Sequence, residues 1–202
     1  MGKYNTIKQN LTQVILIVFS VVLGLYLSER IEERKNIQES NNLLAKIKSE
    51  VNENINLMED WGLYHQEIYE NLDSLSTNQE FIEEFIKDKS IFFEKLFTRG
   101  TFMARMPSND AWEIAKSHPL IVNIDYDKIL ILSKIYNQQK STFEPMNGIF
   151  ELINSKDINT KNDAKSNLAS IAERLHELVA REKQLLYYYN NGREILDLQD
   201  DR

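Results

Sequence analysis

Between Leu11 and Leu27 lie 17 residues without a charge, LTQVILIVFSVVLGLYL, and they pass directly into the charged segment SERIEERKNIQES. As a helix this run is roughly 25 Å long, close to the lower limit for crossing the hydrocarbon of a bilayer. The remainder of the chain is polar and helix-forming. The sequence therefore predicts an all-α protein, an N-terminal transmembrane helix that continues into a long stalk and an antiparallel up-down helical bundle. The expected boundaries are a short tail over 1–10, the transmembrane helix over 11–28, a polar helical stalk over 29–42 and the bundle over 43–202.

A cleaved signal peptide is the competing reading, with Lys3 and Lys8 as a basic leader. The apolar run is long for that role, Val22 with Gly24 makes a poor cleavage site, and helix-favouring sequence continues past Leu27. Orientation is set by basic residues near the two ends of the span. Lys3 and Lys8 stand alone on one side, while Arg30, Arg34 and Lys35 are mixed with Glu29, Glu32 and Glu33 on the other. A short tail without acids favours a cytoplasmic N-terminus at a bacterial inner membrane, with the C-terminal domain exported to the periplasm. Gln13, Ser20, Gly24 and Ser28 share one face of the span. Small residues four apart let helix backbones approach in lipid and a Gln can bond across the contact, so these four are candidates for helix–helix packing.

Charge narrows the partners. The first 28 residues carry +2, whereas residues 29–202 hold 22 basic and 31 acidic residues for a net −9. A domain so acidic is a poor match for a phosphate backbone, and no nucleic-acid partner is expected. There is no cysteine, hence no disulfide framework, thiol nucleophile or zinc ribbon.

Beyond the stalk an apolar seam runs through Leu44, Ile47, Val51, Asn54, Met58, Trp61, His65, Ile68, Leu72 and Leu75. Its steps alternate 3 and 4 over more than four heptads. Anchor, stalk and seam can form one helix from about residue 10 to residue 76, with Gly62 as a candidate bend. Ser76, Thr77 and Asn78 can cap a second helix, FIEEFIKDKSIFFEKLF, whose phenylalanines need burial. Ser108 can cap a short helix that Pro119 ends, and Asp125 can cap the next, which kinks near Pro145. The last helix starts near Asp163 and repeats the 3/4 spacing through Leu168, Ile171, Leu175, Leu178, Glu182, Leu185 and Tyr189, with Leu196 and Leu198 ending its apolar positions. Four main helices result.

Catalytic constellations are thin. The three histidines, His65, His118 and His176, are scattered, and the single Glu-x-x-His at Glu173 and His176 lacks the second copy a di-iron bundle requires. No serine elbow or phosphate loop occurs. No enzyme activity and no cofactor are expected. Asn54 and His65, polar residues inside an apolar seam, are candidates for fixing helix register and partner number. Trp112, Tyr126, Tyr136 and Gln139 are candidates for a ligand or partner surface, although aromatics at helical spacing more often form core.

The join VILIVFSVVLGLYLSERIEERK and the block SNDAWEIAKSHPLIVNIDYDKILILSKIYNQQ resemble a family of uncharacterised bacterial single-pass membrane proteins. The matching positions are Ala111, Trp112, Ala115, Asp125, Tyr126, Leu132, Tyr136 and Gln139, about half the chain being covered. His118-Pro119 departs from the small residues usual there. The resemblance implies the same architecture, an anchor followed by a helical domain, and carries no assigned activity.

The function expected on these grounds is a non-catalytic, membrane-anchored interaction protein, an accessory or scaffold subunit of a larger membrane or envelope complex. Its partners would be the lipid bilayer and a membrane protein or a second copy of the chain, met through the transmembrane helix and stalk. The alternative is a membrane-tethered sensor or small-ligand-binding bundle.

Overall fold

A single helix, α1, occupies Gly2–Ser76. In this computed structural model the backbone is described over residues 2–198 and the side chains over 13–197. Lys3, Lys8 and the side chain of Leu198 fall outside the described side chains. At 1.5 Å per residue, α1 extends roughly 110 Å. It passes through Gly62 without a break. The apolar window near its N-terminus has a mean hydropathy of 2.1 with none of it buried, so α1 contains one stretch long and apolar enough to cross a membrane.

Six further α-helices follow among the described residues: α2 (Gln79–Lys87), α3 (Ser90–Leu96), α4 (Asp110–Ser117), α5 (Tyr126–Thr142), α6 (Glu144–Asn154) and α7 (Ala164–Leu198). No strand occurs among the described residues, and the run Leu120-Ile121-Val122 lies in a 3-10 turn, Pro119–Asn123. The fold is all-α.

The seam is the organising contact. Its residues from Leu44 to Leu72 are all buried, Leu75 is half-buried, and the seam of α7 from Leu168 to Leu196 is buried with them. The two long helices run antiparallel: Tyr69 stacks on His176, His65 meets Glu182, and Lys48 pairs with Asp197 near the lower end. An i, i+3, i+4, i+7 stripe on each helix buries one face and leaves the other wet. The shorter helices α2 to α6 close over this pair and complete one core.

Two local expectations change. The predicted second helix divides, because Asp88 takes an extended conformation (φ −147°) and its carboxylate accepts the Ser90 backbone N–H at 2.9 Å. That bond, with a second from the Ser90 hydroxyl, holds the Asp88 carboxyl below the usual carboxylate range. After the break the face rotates, and Phe93 is left 39% exposed while Phe81, Phe85 and Phe92 are buried. Near Pro145 the chain ends one helix and starts another: α5 stops at Thr142, and Pro145 sits in the first turn of α6, where its missing N–H costs nothing. Seven α-helices therefore stand among the described residues in place of four main ones. The caps at Asn78 and Asp125 form as expected, accepting from Phe81 N and from Asp127 N and Lys128 N.

Candidate functional site

Two polar junctions interrupt the seam of α1, and both fasten the loop over 97–109. The lower one is built on Glu50, which is 8% exposed. One carboxylate oxygen accepts from Ser108 Oγ and from the Ala111 backbone N–H, each at 2.8 Å. The other accepts the Tyr136 hydroxyl at 2.6 Å and the Trp112 backbone N–H at 3.4 Å. Unpaired N–H groups and a positive dipole end make the first turn of a helix a natural place for a carboxylate. Here the capping group comes from α1, some sixty residues earlier in the chain. Ser108 was the expected cap; its hydroxyl accepts from Asp110 N at 3.2 Å but also hands its own proton to Glu50, so the local cap is subordinate to the distant one.

Asn54 lies one turn above Glu50. Its amide nitrogen donates to Ser108 O (2.7 Å) and its oxygen accepts Ser108 N–H (2.9 Å), as a neighbouring strand would. Gln139 of α5 donates to Pro107 O at 2.8 Å and accepts the Tyr189 hydroxyl at 2.6 Å. Burial first, then the hydrogen bond and charge of Glu50, push the Tyr136 hydroxyl well above its usual ionisation range. Tyr189 is raised chiefly by burial, which outweighs a lowering from Asn54, with a lesser push upward from the charge of Glu50.

The upper junction pairs His65 with Glu182, Nδ1 to Oε1 at 2.7 Å, both side chains fully buried. His65 Nε2 lies 3.0 Å from Phe102 O. A carbonyl only accepts, so Nε2 carries a proton and the Nδ1–Oε1 contact shares one more. The pair is neutral as a whole in either arrangement of that proton. Phe102 stacks on the imidazole at 4.4 Å, and Arg99 spans Asp60 (2.8 Å) and the Tyr64 ring. Glu182 Oε2 is buried without a hydrogen-bond partner.

These junctions show where the candidates fall. Asn54 and His65 are both engaged within the chain, with loop and α7 atoms. Trp112, Tyr136 and Gln139 come together: the Trp112 and Tyr136 rings stack in parallel at 5.5 Å, and all three line one cleft of about 340 Å³ between α4 and α5. Tyr126 stands apart from them, 76% exposed in the first turn of α5. Gln13, Ser20, Gly24 and Ser28 are exposed on α1, with open space around Gly24. Ser20 Oγ already donates to Leu16 O at 2.8 Å, so Ser20 offers an acceptor more readily than a donor to a neighbour. His176 is exposed against Tyr69, and His118 accepts from Leu120 N at the head of the 3-10 turn.

Sequence reasoning missed Glu50, the centre of the lower junction, because a Glu in a polar-rich helix carries no local mark of burial. Its one signal was its place beside Val51 on the buried side of the heptad. Among the described residues no group of three or more His, Asp or Glu side chains is placed to hold a metal ion. No protein-family model, curated protein or solved structure matches this chain.

Proposed function

We propose that this chain is a non-catalytic, membrane-anchored helical interaction protein that serves as an accessory or scaffold subunit of a larger membrane or envelope complex. The observation that carries the reading is the continuity of α1, which joins a wholly uncovered apolar segment to the buried seam of the bundle without a break. A rigid connection of that kind holds a domain at a set height and orientation above a bilayer. The polar side chains in the core support the reading as well. Glu50, Asn54, Gln139 and His65 are occupied in tying a loop and three helices together, an arrangement suited to presenting a fixed surface. Lys3 and Lys8, with no acid among the first 28 residues, favour a cytoplasmic N-terminus and a periplasmic bundle. The small-residue face at Gly24 is the contact for a membrane partner or for a second copy.

The test is retention in the membrane after carbonate washing, followed by crosslinking in mild detergent. Retention with a crosslinked partner or dimer that Gly24→Leu weakens is the expected result. Release by carbonate ends the anchored reading, and a lone monomer unaffected by Gly24→Leu ends the subunit reading.

One observation favours a second reading, a membrane-tethered bundle that binds a small ligand: the cleft on which Trp112, Tyr136 and Gln139 converge. A ligand-induced thermal shift abolished by Trp112→Ala would support it.

A further inference from the structure

We infer that the cleft between α4 and α5 takes a small carboxylate carried on an apolar or aromatic body, a ligand class that rests on the ligand-binding reading. Its size comes first. At about 340 Å³ it falls at the lower end of small-molecule sites. Its lining is mixed: Met106, Pro107, Trp112 and Phe143 give it an apolar side with one large ring system, and the rest of the lining is polar. That ring is held before any ligand arrives by parallel stacking on Tyr136, while the backbone N–H of the same residue is fixed on Glu50. A preformed slot avoids the ordering cost of binding.

The polar groups then decide the charge of the guest. Tyr136 and Gln139 line the cleft, but their hydrogen-bonding atoms are committed to Glu50, Pro107 and Tyr189. Lys116 and Lys140 stand exposed on the rim. The one acid there is Glu113, already paired with Lys116 at 2.7 Å. With Glu113 paired to Lys116 and the buried Glu50 behind Trp112 and Tyr136 occupied by four donors, the Lys140 ammonium is the rim charge left to draw an anion. Asn137 and Lys140 are one turn apart on the same face of α5, so an amide donor and an ammonium are spaced to hold the two oxygens of a carboxylate. The apolar side of the cleft and the Lys140 ammonium on its rim together specify an amphipathic anion.

The experiment uses the full chain in lipid nanodiscs and follows the indole N–H resonances of Trp61 and Trp112, assigned with Trp61→Phe. Three probes share one body: 3-phenylpropionate, its neutral amide and the corresponding 3-phenylpropylamine. The carboxylate should shift the Trp112 signal saturably in the millimolar range and leave Trp61 unmoved, with the amide weaker and the amine weakest. Lys140→Glu, a surface change that leaves the melting temperature intact, should weaken the carboxylate about fivefold and the amide not at all. Equal affinity for amide and carboxylate, or preference for the amine, overturns the ligand class while the cleft survives as a binding site. No saturable shift of Trp112 by any probe up to about 10 mM overturns both this inference and the ligand-binding reading.

Discussion

Helix α1 holds two apolar regions of opposite fate. Over 13–28 every described side chain is exposed, Leu16, Ile17 and Phe19 by more than half. Over 44–75 the same helix sinks an apolar stripe to near-zero exposure. Composition separates them already, since 13–28 carries no charged residue and 44–75 carries nine. Periodicity says what each one faces. The first region is apolar all round, which suits a medium that surrounds the helix. The second is apolar on a 3/4 stripe, which suits a neighbouring helix on one side and water on the other.

The comparison can be broken by substitution. Glu50→Ala, in the buried half, strips the cap from α4 and leaves Tyr136, Ser108 and two backbone N–H groups without their acceptor. Each buried donor left unsatisfied costs about 1–3 kcal/mol, so the bundle should melt far earlier by circular dichroism, or fail to fold. Leu72→Ala, at 0% exposure, should cost about 2–5 kcal/mol. The same change at Leu16, 58% exposed, should leave that unfolding transition where it was. A comparable loss at both sites would mean the two halves share one packed environment.

Glycines sharpen the contrast between covered and open surface. At Gly192 of α7 an added Cβ would run into Ile135 of α5, so Gly192→Ala should destabilise by about 1–3 kcal/mol despite alanine's better helix propensity. Gly62 has nothing nearby, and Gly62→Ala should stabilise by about 0.5–1 kcal/mol in denaturant unfolding.

The pH profile gives the most gradual effect. Tyr136 and Tyr189 keep their protons in the folded state to higher pH than the unfolded chain does, chiefly through burial. Their contribution is fully present below about pH 10, where unfolded tyrosines remain protonated, and is lost as pH rises beyond it. Stability should then fall by up to about 1.4 kcal/mol per pH unit for each tyrosine, and Tyr136→Phe with Tyr189→Phe should flatten that slope in alkaline melts.

Legibility tracked the range of the interactions. The seams of α1 and α7, the caps at Asn78 and Asp125 and the uncharged span are patterns of residues within a few turns of one another, and each reads from the chain directly. The division at Asp88 depends on one side chain choosing the Ser90 backbone over a continuing helix, a competition between alternatives of similar energy. Asn54 and His65 stood out as polar interruptions of a stripe, yet their partners, Ser108 and Glu182, are 54 and 117 residues away. Glu50 carried only its place beside Val51 as a sign. Trp112, Tyr136 and Gln139 were marked as a group, and the fold brought them to one cleft while leaving Tyr126 at the far end of α5.

By itself the chain determined its helices and its two environments, because hydrophobic periodicity and an uncharged run are local properties that every turn repeats. Only the tertiary structure decided that a glutamate of α1 caps α4 and that one shared proton lies buried between α1 and α7. It likewise set the walls of the cleft between α4 and α5. Those outcomes join groups tens of residues apart, and a buried charge or hydrogen bond gains its strength from the water that packing removes.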